Sequence, residues 1–259
     1  MNNKKYLKAA IQAAKAAGIV HKKYFKKGVQ IKTKTSSFDL VTVADIEAEK
    51  AVVSVLKGFF PGHNFVAEEN KYENTGSEYT WVIDPLDGTS NFAYGLPIFC
   101  VSIALAKNKE VIAAVVYDSN RNELFSAGKN CGAFLNGKKI SVSPVNGLTA
   151  SLLITGFYYD RGNDMVENLE KIRQFLSYPI IGLRRLGAAA LDLCYVASGR
   201  ASGYWEYKLS PWDFAAGMLI VEEAGGKVTG RHGEPVPLEK HFVVASNGKI
   251  HNAMLEVLK

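Results

Sequence analysis

The stretch Trp81-Val82-Ile83-Asp84-Pro85-Leu86-Asp87-Gly88-Thr89-Ser90-Asn91-Phe92 constrains this chain more than any other. Trp81, Val82 and Ile83 form a bulky apolar run that reads as the end of a buried strand. Pro85 fixes its own φ and biases Asp84 towards an extended shape. The chain therefore leaves the strand stiffly, and two carboxylates are aimed into one small volume. The Leu86 carbonyl between them offers a third oxygen. Gly88-Thr89 lets the backbone turn closely, and Thr89 or Ser90 can cap a following helix. The free N–H groups of a helix N-terminus are a seat for phosphate. Carboxylates for a hard cation beside amides for a phosphate point to metal-assisted phosphate chemistry. An Asp-rich turn with a helix cap would explain an Asp-Gly pair alone. It does not explain a strand, two aspartates, a proline, a glycine and a threonine together, with further acids elsewhere.

A chain of 259 residues makes one large domain or two packed halves. The formal charge of +6 is concentrated near the N-terminus, in Lys4, Lys5, Lys8, Lys15, Lys22, Lys23, Lys26, Lys27, Lys32 and Lys34. Such a face attracts anions, or is simply a solvated helix surface. Cys100, Cys131 and Cys194 are far apart, without CxxC pairing, and read as buried free thiols. That usage fits a reducing, cytoplasmic compartment. No apolar run approaches the ~20 residues of a membrane span, and the polar, lysine-rich start lacks an apolar signal core.

Helical spacing of Leu7, Ala10, Ile11, Ala14, Ala17 and Val20 predicts a first helix over 3–27, with Gly28 as its stop. Residues 31–38 carry mixed strand and loop signals, with Lys34 in a Ser/Thr-rich loop. A second helix spans about 44–60, with Val52, Val53, Val55, Leu56 and Phe59 facing the core. Asp39 reads as a cap or turn residue, and Asp45 lies in the first turn, favourable to the helix dipole. Residues 64–70 read as a short strand ending in Glu68-Glu69, whose side chains point to opposite faces. Strands follow at about 98–107, 111–118 and 123–127, joined by hairpin turns, and Asn136-Gly137 turns another hairpin. The first half is thus two helices against an antiparallel-rich sheet. Residues 144–150 are the candidate boundary between sub-halves 1–145 and 146–259. The second half alternates strands with helices: 151–155, helix 163–176 with Met165, Leu169, Ile172 and Leu176 as its stripe, 180–185, and a small-residue helix over 187–197. Then come 203–206, helix 211–224, strands near 227–229 and 242–245, and a last helix over 249–258. Part of that sheet is expected to be parallel.

Asp213 starts a helix after Pro211-Trp212, as a cap, a ligand or both. Metal chemistry needs Glu68, Asp84, Asp87 and Asp213 to converge from separate elements. Crowded carboxylates resist ionisation, and divalent cations remove that penalty. Oxygen-only ligation without His or Cys favours Mg²⁺. His21, His63, His232, His241 and His251 are scattered without metal spacing, and Ser36 and Ser37 read as loop residues.

The chain resembles the inositol monophosphatase family, within the lithium-sensitive, Mg²⁺-dependent phosphatases. Four stretches carry the likeness: Asp39 to Asp45; Ala67-Glu68-Glu69; Trp81 to Phe92; and Trp212 to Gly217 with Glu222-Glu223-Ala224-Gly225-Gly226. The resemblance implies an α/β (α+β) fold, a layered αβαβα sandwich, and a homodimer. It implies one Mg²⁺ on Glu68, Asp84 and the Leu86 carbonyl, a second on Asp84, Asp87 and Asp213, and a third, weaker ion at Glu68. Phosphate would rest on the Gly88 and Thr89 amides, next to Asp87. Asp45 and Thr89, assisted by Glu68, would orient or deprotonate the attacking water. Lys34 matches the mobile-loop lysine, Glu206 the residue that binds substrate hydroxyls, and Ala189 lies where the sugar pocket is lined. One departure is visible: Ala67 stands where the family usually has glycine. The implied reaction is hydrolysis of inositol 1-phosphate. Fructose 1,6-bisphosphate, 3′-nucleotide and NADP phosphatase activities stay open. So does a role with RNA or the transcription machinery, for which the basic first helix is the support.

Overall fold

The computed structural model describes residues 3–27, 31–33, 40–157 and 162–259. Gly28, Lys34, Ser36, Ser37 and Asp39 lie outside the described residues. The elements run in chain order as α1 (Asn3–Phe25), β1 (Ile31–Thr33), β2 (Leu40–Thr42), α2 (Val43–Phe59), β3 (Asn64–Ala67), β4 (Tyr79–Asp87) and α3 (Thr89–Ala93). β5 (Cys100–Lys107), β6 (Glu110–Asp118), β7 (Glu123–Gly128), β8 (Gly132–Leu135) and β9 (Lys138–Lys139) complete the first half. After a short 3₁₀ turn at Leu148–Ala150 come β10 (Leu152–Thr155), α4 (Asn163–Leu176), β11 (Gly182–Arg184), α5 (Ala189–Ala197) and β12 (Gly203–Leu209). α6 (Pro211–Glu223), β13 (Lys227–Thr229), β14 (His241–Ser246) and α7 (His251–Leu258) close the chain.

These elements stack as an α/β sandwich of five layers. α1 and α2 cover one face of a seven-stranded sheet, β3 to β9 in chain order, in which only the β3–β4 pair is parallel. α5 and α6 fill the middle, between that sheet and a five-stranded one of order β11-β10-β12-β14-β13. β11, β10 and β12 are parallel, and the rest of the second sheet is antiparallel. α4 and α7 cover its outer face around Phe175, Trp205, Val244 and Met254.

β4 is apolar on both faces because both are buried. Trp81 and Ile83 pack under α1 and α2, whereas Val82 faces the middle layer. α1 packs through fully buried Ala9, Ala10, Ala13, Ala14 and Ala17, small enough for close approach. The hairpin turn at Asn136-Gly137 has φ of 49° and 78°, the paired positive values of a type I′ turn.

Some expectations change. Phe59 is exposed, so the core face of α2 is Ala48, Val52, Val53 and Leu56. α4 keeps only part of its expected stripe inside: Ile172 packs on the core and Met165 is half-buried, Leu169 and Leu176 are exposed, and Asn168, Lys171 and Phe175 are buried. The buried polar positions are in use, because Asn168 accepts from the Trp205 indole at 2.8 Å and donates to the Gly156 carbonyl at 2.8 Å. Lys171 donates to the Lys259 carbonyl. Cys100 and Cys194 are buried free thiols, but Cys131 is exposed, in the turn between β7 and β8. Ala67 is an ordinary ladder residue opposite Ile83 and needs no glycine.

Candidate active site

Asp84 and Asp87 are three residues apart, so a regular strand would send them to opposite faces. β4 is not regular there. Asp84 pairs with Ser102 and Asp87 with Cys100, so three steps on β4 oppose two on β5. The extra residue is a bulge, and it brings both carboxylates to the face turned towards α5 and α6. Ser102 on that face donates to the Trp212 carbonyl of α6 at 3.1 Å.

Each acid is then fixed by a different device. Asp84 Oδ1 accepts from the Leu86 N–H at 2.9 Å. Asp87 caps α5 from outside: it accepts from Ala189 N–H at 3.2 Å and Ala190 N–H at 2.8 Å. Glu68 follows β3 directly, and the parallel register Ala67↔Ile83 sets it beside Asp84. The N–H of its neighbour Glu69 is held by Glu49 Oε2 at 2.9 Å. Glu49, fully buried on α2, also binds Asn70 and Tyr72, and so pins the chain just beyond Glu68.

Asp45 and Asp213 are both N3 residues of capping boxes. Asp45 Oδ2 accepts from the Thr42 N–H at 2.7 Å and the Thr42 hydroxyl at 2.6 Å. Asp213 Oδ2 accepts from the Ser210 N–H at 2.7 Å. Asp213 is therefore not itself the cap: Ser210 is, and the box freezes the Asp213 rotamer. Neither Thr89 nor Ser90 caps α3. Gly88 is its N-cap, at φ +88°, where an added Cβ would stand 2.8 Å from the Ile98 carbonyl. α3 has only five residues, so its first-turn amides matter more than any macrodipole. The Thr89 hydroxyl lies 2.9 Å from both Asp45 Oδ1 and the Leu86 carbonyl, and its one hydrogen serves either.

Glu68, Asp84, Leu86, Asp87, Gly88, Thr89, Ala189, Glu206 and Asp213 all line one cavity of about 340 Å³. Asp45, also proposed from sequence, is buried behind it and reaches it through Thr89. Glu206 lies on the wall supplied by the second half. It accepts from the Tyr204 hydroxyl at 2.7 Å, in a seat that exists because residue 156 is glycine: a Cβ there would lie 1.9 Å from Glu206 Oε2. Asn91 links the halves, donating to Ile98 O at 2.9 Å and Leu186 O at 2.8 Å. Phe157 and Gly156 line the cavity without a sequence signal, and so does Arg185, from the segment Arg184 to Leu193 that carries part of the resemblance. Tyr204, Glu49 and Asn91 act one step behind the wall. Asn91 belongs to the Trp81–Phe92 stretch, but neither it nor Tyr204 or Glu49 shows in the sequence what it holds.

The electrostatics are those of acids in search of a counter-charge. Burial, then repulsion from Glu68, Asp87 and Asp213, holds the Asp84 carboxyl well above its usual range. Burial and the repulsion of Glu68 and Asp87 do the same to Asp213. Asp87 is pushed up to about 6 by burial, despite its hydrogen bonds to α5. Glu206 is pushed up to about 7, again by burial, with Tyr204 and Arg185 opposing. Burial also raises Asp45, against the hydrogen bonds from Thr42 and Thr89. Arg185 is the one cationic side chain in the wall among the described residues. No three His, Cys, Asp or Glu side chains among those residues close into a ready-made metal cage. The acids instead ring an open cavity with oxygen donors only, the chemistry that favours a hard divalent cation over zinc or copper.

An acidic, oxygen-lined cavity where two sheets meet is the site of an enzyme that handles a small, highly charged substrate. The inositol monophosphatase family model matches residues 2–259, and the chain belongs to that family of phosphatases. It is 42% identical over 254 residues to an inositol-1-monophosphatase of Synechocystis sp., covering 98% of this chain and 88% of that one. A protein of Pseudomonas aeruginosa named Nus factor SuhB is 40% identical, covering 98% of this chain and 95% of that one. The solved inositol monophosphatase of Anabaena superposes with a TM-score of 0.89 at 40% identity, covering 100% of this chain and 96% of that one.

Proposed function

We propose that the protein hydrolyses inositol 1-phosphate to inositol and phosphate with two or three Mg²⁺ ions. The carrying observation is that Glu68, Asp84, Asp87 and Asp213 share one cavity with Glu206: acids that can take cations beside an acceptor for substrate hydroxyls. Glu68, Asp84, the Leu86 carbonyl, Asp87 and Asp213 would hold the ions. When bound, these supply positive charge to the phosphate and leaving oxygen and make a nearby water more acidic. The Gly88 and Thr89 amides seat the phosphate. Asp45 and Thr89 orient or deprotonate the attacking water, Thr89 passing its own hydroxyl hydrogen to Asp45 Oδ1 as it takes the water's, with Glu68 assisting. Glu206 accepts from substrate hydroxyls, and the small Ala189 side chain leaves room for the ring. Phosphoryl transfer needs chiefly such positioning and charge neutralisation.

Phosphate release from inositol 1-phosphate, fructose 1,6-bisphosphate, 3′-phosphoadenosine 5′-phosphate and NADP at saturating Mg²⁺, with and without lithium, tests this. Lithium-blocked release that is fastest from inositol 1-phosphate is expected. Faster release from fructose 1,6-bisphosphate would favour Arg185 as a second phosphate anchor and sink the inositol assignment. A homodimer, the assembly the resemblance implies, predicts twice the chain mass in light scattering. A second role with RNA or the transcription machinery draws on the SuhB relative's name and on the exposed lysines of α1. It predicts a salt-dependent shift of RNA in a gel.

A further inference from the structure

His21 is a fully buried titratable side chain that the proposed reaction does not use. It lies in the last turns of α1, with Nε2 2.8 Å from the Pro85 carbonyl oxygen. A carbonyl only accepts, so Nε2 carries a hydrogen and donates it. Nδ1 is buried without a partner among the described residues, which makes the ring neutral. Phe99 and Phe92 hold it edge-on, with centroids at 5.8 Å and 6.1 Å. One turn earlier, Gly18 lets α1 press onto β6: a Cβ there would stand 2.5 Å from Tyr117 Cε1. The helix is thus seated closely enough for His21 to reach the sheet beneath.

What it reaches is the bulge itself. Pro85 sits between Asp84 and Asp87 where the β4–β5 register slips, and proline has no N–H of its own to anchor the distortion. We propose that His21 is a positioning residue for cation binding: by holding the Pro85 carbonyl from α1, it fixes the bulge that turns Asp84 and Asp87 to one face. The proposal rests on the assignment of those aspartates as cation ligands.

The test is calorimetric titration of Mg²⁺ and Mn²⁺ into metal-stripped protein, with melting of the metal-free chain alongside. His21→Phe keeps an aromatic ring and removes the donor; His21→Gln restores a donor of similar reach. His21→Phe is expected to weaken the cation Kd about fivefold, the worth of one hydrogen bond. His21→Gln should stay within about twofold of the parent on the same grounds, and KM at saturating cation should not move in either. His21→Met, flexible and without a donor, carries the same expectation as Phe should that variant fail to fold. A merely structural role would lower the melting temperature and leave Kd alone. A folded Phe or Met variant with the parent's Kd overturns the proposal, as does a Gln variant as weak as Phe. Absence of any cation binding by the parent protein would instead overturn the ligand assignment beneath it.

Discussion

Residues Asp84, Asp87 and Asp213 stand at odds with the stability of the metal-free chain. A carboxyl whose folded pKa lies above its unfolded value favours unfolding at every pH above the unfolded value, because ionisation is easier in water. Asp213 is such a group, raised by burial and by Glu68 and Asp87. Asp213→Asn removes that repulsion while an amide oxygen can still accept from the Ser210 N–H. The metal-stripped variant should melt a few degrees above the parent at pH 7.5. It should lose most of the stabilisation that Mg²⁺ confers, and its turnover should fall by several orders of magnitude. Scanning calorimetry with and without Mg²⁺ and a phosphate-release assay check the three together. A variant that keeps near-normal turnover would remove Asp213 from the ligand set. These acids were legible in the sequence because each sits in a strong local pattern: a Pro-interrupted strand end, or a helix start. Glu49 was not, since a glutamate within a helix is ordinary until a distant loop is found hanging from it.

Among the elements, α3 and α5 show most clearly what local signals miss. The small-residue helix was expected from 187 but begins at Ala189, because Gly187 takes φ +85°. Its cap is Asp87, on a strand far away in sequence. Asn91 on α3 ties that same segment down through the Leu186 carbonyl. Asn91→Ala leaves the half-buried Ile98 and Leu186 carbonyls without their donor, a cost of about 1 kcal/mol. The urea midpoint should fall accordingly. Because the loosened turn carries Arg185 and leads into Ala189, KM should rise more than kcat falls. Unchanged Michaelis parameters in a destabilised variant would make Asn91 a stability residue only. α4 teaches the same lesson from its other side, since its buried face joins Phe175 and Ile172 to the polar Asn168 and Lys171, which are bonded to Trp205, Gly156 and Lys259.

Across the whole molecule, acid should act through its buried histidines. His251 is fully buried, bonded to Ser246 Oγ and Thr229 Oγ1 at 2.9 Å each. Burial, with the Lys227 charge, lowers its pKa to about 4; burial takes His21 to about 4 as well. A histidine kept neutral in the fold contributes fully above its unfolded pKa near 6.5, and that contribution drains away as pH falls towards 4. The loss is on the order of 3 kcal/mol per group. The raised carboxylates work in the opposite sense in metal-free protein, so the difference between the parent and His251→Gln isolates the effect. That difference in urea stability should shrink between pH 7 and pH 4.5. A difference constant over that range would mean that His251 takes up its proton alike in the folded and the unfolded chain.

The sequence by itself determined whatever depends on contacts within a turn or along one strand. The elements follow from periodicity, the stiff exit of β4 from Pro85, the hairpins from turn residues, and the oxygen-only donor set from which residue types are present. Only the tertiary structure decided which of those donors meet. A bulge measured against β5 puts Asp84 and Asp87 on one face, and the β3–β4 register brings Glu68 beside them. Packing of α6 between two sheets delivers Asp213, and the second sheet delivers Glu206 to the same cavity. Register and layer packing are settled by the burial of whole faces, a property of the assembled chain that no short stretch carries.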